Sequence, residues 1–437
     1  MARFLLATIP LVGHVAPMIR VAQSLVNAGH DVRWYTGKRF QARVEATGAH
    51  FVPMEKGFDY SLDENVPLEL GNQREALKGL AQLKFDLKIF FIKAAIAYAQ
   101  DLLSILQRFP ADVMLADSFF IAIAWVHEAG GPPWAQLGIS VLSLPSKDVA
   151  PFGLGLPPRH SILGRWRNQA LYSLLKHVAF RDVLTCVNQA RAELSLPPTD
   201  KILFDLISPY LYLANTVPRF EYPRNDLLPQ VHFTGPSIPQ ADPVFTEPAW
   251  WNDLNQGKPV VHVTQGTVAS NSQDLILPTI QAMATEDVLL VVTTGNKPVE
   301  SLGLPSLPDN VRVEQFIPHP YLLPHVDVMV TNGGYNGVQM ALAQGIPLVA
   351  GGKSEDKPEV CARVAWSGVG VNLKTKSPRP SQIRQAVQEV LTNPRYRQNA
   401  ERIQADIQRY QAQSNMLHLL EQLANTQRPV LRKDATS

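Results

Sequence analysis

The sequence predicts an α/β protein of two Rossmann-like domains, each a parallel sheet covered by helices, facing one another across a cleft. Three observations carry this expectation. The chain has 437 residues, enough for two cores of ordinary size. In each half, short apolar runs alternate with longer amphipathic patterns, which is the rhythm of a parallel sheet with helical crossovers. Between the halves, residues 217–248 hold seven prolines and little periodicity, the mark of a connecting segment. The expected division is a domain over 1–216, a linker over 217–248, a domain over 249–425 and a tail over 426–437.

In the first half, residues 3–9 read as a strand and 15–27 as a helix that Gly29 stops. Residues 31–36 and 51–54 read as the next strands. A helical insertion follows over about 73–108, then strands at 112–116 and 134–137 with a helix between them. Residues 142–163 (LSLPSKDVAPFGLGLPPRHSIL) are rich in Pro and Gly and read as a mobile surface loop. Helical patterns resume at 165–176 and 180–194, and 210–215 reads as a further strand. In the second half the strands are expected at 260–264, 288–293, 311–315, 328–331 and 347–350. Helices are expected over 381–425, before a polar tail.

Composition removes several classes of function. With 46% hydrophobic and 18% charged residues, the chain is that of a globular protein with substantial cores. A net charge of +2 and the lack of a basic stripe argue against nucleic acid. The two cysteines, Cys186 and Cys361, sit in no metal-binding spacing and suggest a reducing compartment. The apolar opening lacks a small-x-small cleavage pattern and runs directly into a helical pattern, so it reads as a strand and not as a secretion signal. Residues 89–99 are interrupted by Lys93 and are too short to cross a bilayer. A cytoplasmic protein without a transmembrane segment is expected.

The chemistry concentrates in residues 331–363 (TNGGYNGVQMALAQGIPLVAGGKSEDKPEVCAR). A glycine-rich turn after a strand and before a helix gathers backbone N–H groups at the positive end of the helix dipole, which suits phosphate. Gly333, Gly334 and Gly337 permit close approach of an anion. About twenty residues on, Glu355, Asp356 and Lys357 offer groups that bind hydroxyls. Phosphate on one side and a polyhydroxylated group on the other describe a nucleotide sugar. Gln265, Gly266 and Thr267 follow the first strand of the second half and suit a second pyrophosphate contact. Phe316, Ile317 and His319 follow another strand there, where an aromatic ring can stack on a nucleobase.

His14 lies in the turn PLVGHVAP at the carboxyl end of the first strand, beside Gly13, and faces the cleft. An imidazole there can accept a proton near neutral pH. Asp117 ends the fourth strand and is placed to orient it. The same position suits Asp117 as a cap for the next helix, and the two roles are compatible. Walker A, GxSxG and HExxH patterns are absent.

The segments GHVAPMIRVAQSLVNAGHDV (13–32) and FIPHPYLLPHVDVMVTNGGYNGVQMAL (316–342) resemble the inverting nucleotide-sugar-dependent glycosyltransferases of GT-B fold, in particular bacterial macrolide-type members. The resemblance covers nearly the whole chain. It implies a general base at His14 with Asp117 as its partner. It further implies base stacking by Phe316, a nucleoside contact by His319, phosphate binding by Asn336 and sugar binding by Asp356. Gly13 and Ile317 fall among the donor contacts. Asn332 stands where the family usually has a histidine on the pyrophosphate, Met340 replaces an acidic residue that grips ribose, and Lys357 replaces a glutamine.

No metal or cofactor is implied beyond a nucleotide sugar as co-substrate, UDP-sugar before dTDP-sugar. The expected acceptor is a hydrophobic alcohol or phenol. Two other readings compete: a catalytically silent relative, which Asn332 and Lys357 favour, and a nucleotide-sugar epimerase, which His14 and the helical insertion disfavour.

Overall fold

The computed structural model describes residues 1–62, 67–239, 245–266, 271–295 and 297–432. The first sheet contains β1 (Arg3–Ala7), β2 (Asp31–Tyr35), β3 (His50–Val52), β4 (Val113–Asp117), β5 (Trp134–Leu137), β6 (Leu211–Ala214) and β7 (Val231–Phe233). The second contains β8 (Val260–Thr264), β9 (Leu289–Thr293), β10 (Val311–Glu314), β11 (Val328–Thr331), β12 (Leu348–Ala350) and β13 (Gly370–Asn372). The strand orders are β3-β2-β1-β4-β5-β6-β7 and β10-β9-β8-β11-β12-β13. All pairings are parallel, with Leu5 opposite Arg33 and Met114, and Val263 opposite Val292 and Val330.

Parallel strands buried on both faces read as unbroken apolar runs, and here β1, β4, β8, β9 and β11 have almost no exposed residue. In each sheet the order reverses beside a strand that starts its half, between β1 and β4 and between β8 and β11. Ligands of such sheets sit beyond the carboxyl ends of the strands at this reversal. The fold therefore places the loops after β1, β4, β8 and β11 at the two halves of a site.

The helical insertion forms a continuous helix over Gly79–Arg108, with a π-helical turn at Leu87–Lys93. By length and composition this helix is apolar enough to cross a membrane. It is a core helix: Leu87, Ile92, Ala95, Tyr98, Leu102 and Ile105 are buried against the helices Ala122–Glu128 and Arg181–Glu193.

The division into domains differs from the expected one in three places. β7 lies within the proline-rich segment and completes the first sheet, bonded to β6. The last helix, Ala412–Thr426, returns to the first lobe, where Ala412, Met416, Leu420 and Leu423 pack with Phe4, Val15, Met18 and Leu25. The tail is also tied down as far as Arg432, since Val430 N–H donates to the Tyr210 carbonyl and Arg432 N–H to that of Pro229. The chain thus crosses between lobes twice, and the crossings touch: a Cβ on Gly235 would lie 2.7 Å from Cβ of Tyr410.

Candidate active site

His14 sits in the first turn of the helix Val12–Asn27, one loop beyond β1. Its Nδ1 lies 3.0 Å from Oδ1 of Asp117, the last residue of β4. Asp117 is fully buried, and both of its carboxylate oxygens have partners. Oδ2 accepts from Ile9 N–H at 2.8 Å, and Oδ1 accepts from Phe119 N–H at 2.9 Å. A carboxylate held by two backbone donors is an acceptor, so the ring beside it presents Nδ1–H and keeps the lone pair on Nε2. Aromatic rings continue from this point. Phe119 is 6.2 Å from the His14 ring, Phe91 and Phe204 flank Phe119, and Phe152 lies 5.3 Å from Phe204.

Across the cleft, β11 leads through Asn332, Gly333 and Gly334 into the helix Tyr335–Ala343. Gly333 adopts a φ of +84°, and a Cβ there would meet Sγ of Cys361 at 2.6 Å, so only glycine fits. The hydrogen bonds of this turn refine what was expected of it. Gly333 N–H donates to Oγ1 of Thr331 and Gly334 N–H to Oδ1 of Asn332. Both amides are therefore engaged inside the turn. Asn332 uses its other end to donate to the Gln265 carbonyl at 2.5 Å, tying the loop after β8 to the loop after β11. The amides that point forward are those of the first helical turn, at Tyr335, Asn336 and Gly337, which have no intrahelical partner. No side chain caps this helix, whose cap residue is Gly334. Gly266, at a φ of +71°, lies in the loop after β8, and Thr267 lies outside the described residues.

Phe316 follows β10 and is 58% exposed, an unusual exposure for a phenyl ring, whereas Ile317 beside it is buried. His319 opens the short helix His319–Leu322 and meets His262 of β8 edge-on at 5.6 Å. Burial keeps both rings neutral, pushing His262 down to about 3 and His319 to about 4. His262 was not singled out by sequence, because an isolated histidine in a strand has no legible partner. Its Nδ1 lies 3.0 Å from the Val291 carbonyl. Met340 packs against the second-lobe core.

The loop after β12 brings the remaining groups to the cleft. Glu355 is exposed and holds a left-handed φ of +55°, strain of the kind found at functional loops. Its carboxylate pairs with Lys357 Nζ, and burial lowers the Lys357 pKa to about 8. Burial raises the Asp356 carboxyl, against the opposing pull of the Ser140 hydroxyl. Two contacts join the lobes here. Ser140 Oγ donates to Asp356 Oδ2 at 2.5 Å, and Asn336 Nδ2 donates to the Gly13 carbonyl at 3.2 Å. The fold thus brings His14, Asp117, Asn336 and Asp356 into one site. Sequence reasoning missed Ser140, although it lies in the loop at the carboxyl end of β5, where a ligand contact is to be sought.

An imidazole–carboxylate pair on one Rossmann-like lobe, opposed to an uncapped helix N-terminus and a polar loop on the other, defines a glycosyltransferase of GT-B architecture. The comparisons agree. Residues 278–422 match the family described as Erythromycin biosynthesis protein CIII-like, C-terminal domain. The chain is 48% identical over 425 residues to 4'-demethylrebeccamycin synthase of Lentzea aerocolonigenes, covering 97% of this chain and 99% of that protein. It is 30% identical over 429 residues to UDP-glucosyltransferase 1 of Beauveria bassiana (strain ARSEF 2860), covering 93% and 92%. The crystal structure of the glycotransferase of kitacinnamycin shares the fold, with a TM-score of 0.74 over 98% of this chain and 99% of that chain at 21% identity. The chain belongs to the GT-B family of nucleotide-sugar-dependent natural-product glycosyltransferases, and it is an enzyme of that class.

Proposed function

We propose that the enzyme moves a sugar from a UDP- or dTDP-sugar to a hydroxyl of a hydrophobic small molecule, with inversion at the anomeric carbon. His14 Nε2 takes the acceptor proton, and Asp117 stabilises the imidazolium that forms. The acceptor oxygen attacks the anomeric carbon from the face opposite the nucleotide. The bond to the diphosphate oxygen breaks, and its electron pair leaves with the nucleotide. The charge that develops there meets the first-turn amides of Tyr335, Asn336 and Gly337, fixed donors that need no reorganisation. Asp356 and Glu355 hold sugar hydroxyls, with Lys357 beside them, and Phe316 stacks on the base. The row of rings from Phe119 to Phe152 lines the acceptor side. The relative named a UDP-glucosyltransferase supports UDP. Two buried, free cysteines suit work in the cytoplasm.

The observation that carries this reading is the 3.0 Å His14–Asp117 pair set opposite Asn336 and Asp356. The test is His14→Ala, assayed with UDP- and dTDP-sugars against pooled hydrophobic acceptors. A loss of about 10²–10⁴ in kcat is expected, with donor affinity little changed. Undiminished transfer by the folded variant would refute the base assignment.

A further inference from the structure

The Pro/Gly segment 142–163 was expected to be a mobile loop, yet one buried charge network holds it at its start and at its middle. Glu359 lies in the helix Lys357–Trp366 of the second lobe and is 3% exposed. Its Oε1 accepts from Gly153 N–H at 2.9 Å and from Gly155 N–H at 2.7 Å. Its Oε2 accepts from Arg363 Nη1 at 3.0 Å. Arg363, equally buried, donates from Nε to Glu221 Oε2 at 3.0 Å and lies 4.1 Å over the Tyr222 ring. Glu221 closes the circuit by accepting from Leu142 N–H at 2.8 Å. Gly153 and Gly155 both hold left-handed φ, which turns two nearby amides onto a single oxygen. A Cβ on Gly155 would lie 2.9 Å from the Pro358 carbonyl oxygen, so the loop rests directly on the helix start.

Phe152 sits between these two anchor points. Its ring is tilted against Phe204, which meets Phe119 edge-on, which in turn faces His14. Phe152 also packs against the core of the second lobe. It is the far end of the aromatic row that begins at the imidazole, and its backbone neighbour is the amide that Glu359 holds.

We propose that Glu359 is a positioning residue for the acceptor: through the Gly153 and Gly155 amides it sets Phe152, so the aromatic wall is complete only when the loop is docked on the donor-side helix. This role rests on the acceptor's binding beside His14, as proposed above. Arg363 answers only Oε2 of Glu359, so the two loop amides are the donors that satisfy its Oε1. Undocking the loop removes both donors from Oε1 of Glu359, which disfavours the undocked state. Glu359 lies one helical turn beyond Asp356. Placement of the sugar-binding loop and of the acceptor wall is thereby coupled through a single helix end.

The test compares Glu359→Gln, Phe152→Ala and the double variant in the full-length enzyme. Acceptor KM and kcat are measured with a planar aromatic acceptor, and UDP binding by calorimetry. Glu359→Gln keeps the shape and removes the charge. It should raise acceptor KM about tenfold, the scale of one charge-assisted hydrogen bond, with kcat and UDP affinity within about twofold. Phe152→Ala should do the same, and the double variant should be no worse than Phe152→Ala alone, because both act through one ring. Should Glu359→Gln fold poorly, Gly155→Ala moves the loop without touching the charges and should reproduce the rise in KM. Multiplying effects in the double variant, or an unchanged KM in Glu359→Gln and Gly155→Ala, overturns the proposal. An unchanged KM in Phe152→Ala overturns the acceptor placement on which it rests.

Discussion

Asn336 of the second lobe donates from Nδ2 to the carbonyl of Gly13 in the first, at 3.2 Å, so a residue expected to bind phosphate touches the neighbour of the proposed base. The contact sits at the first turn of the helix Tyr335–Ala343, where an anion is favoured. Asn336→Asp converts the donor to an acceptor that faces both a carbonyl and the diphosphate. Donor affinity should fall at least tenfold, about 1.4 kcal/mol, as read by UDP calorimetry. A carboxylate in the first helical turn does not weaken the helix, so the melting temperature should hold. A fall in melting temperature with intact UDP binding would contradict the assignment.

Lys357 predicts a pH dependence. Its pKa in the fold is about 8, below the unfolded value near 10.4. Between those values the unfolded chain binds a proton that the folded one has released, so stability gains from rising pH in that window. Below about pH 8 the cost of burying the cation is fully present. Lys357→Gln should therefore be more stable than the parent at pH 7, and the gap should close as pH rises toward about 10.4. Thermal melts across that range check it. If Lys357 grips the donor as a cation, donor KM should also rise above about pH 8 in the parent and stay flat in the variant.

The His262–His319 pair predicts an acid slope. Both pKa values lie well below the ordinary 6.5, at about 3 and about 4. As pH falls from about 6.5 to about 4, the unfolded chain takes up protons that the fold refuses, and stability drops. Each such proton is worth about 1.4 kcal/mol per pH unit. His262→Gln removes one of them, so its melting temperature should depend less steeply on pH in that window. An unaltered slope would mean that the His262 ring is charged in the fold.

The strands of both sheets were legible because parallel strands covered on both faces read as continuous apolar runs. The two that were missed, β7 and β13, are three residues long and lie at sheet edges, and β7 is hidden among prolines. The helix Ala412–Thr426 was recognised as a helix and given to the wrong lobe. Periodicity reveals an apolar face and says nothing about which surface covers it. His14 and Asp117 were legible because strand ends are where side chains meet ligands. Segment 142–163 was misjudged from composition, because the carboxylate that holds its glycines lies more than two hundred residues away. Asn332 and the glycine-rich turn were expected to meet the pyrophosphate. The two glycine amides instead bond within the turn and Asn332 bonds to the Gln265 carbonyl, as buried polar groups require.

The touching of Gly235 and Tyr410 has a mechanical consequence. A lobe tethered at two distant points would be locked, whereas tethers that coincide leave a single pivot. Rotation about that pivot swings the far ends of the lobes apart like the jaws of a clamp. The Asn336–Gly13 and Asp356–Ser140 contacts cross the cleft, so such a swing has to part them.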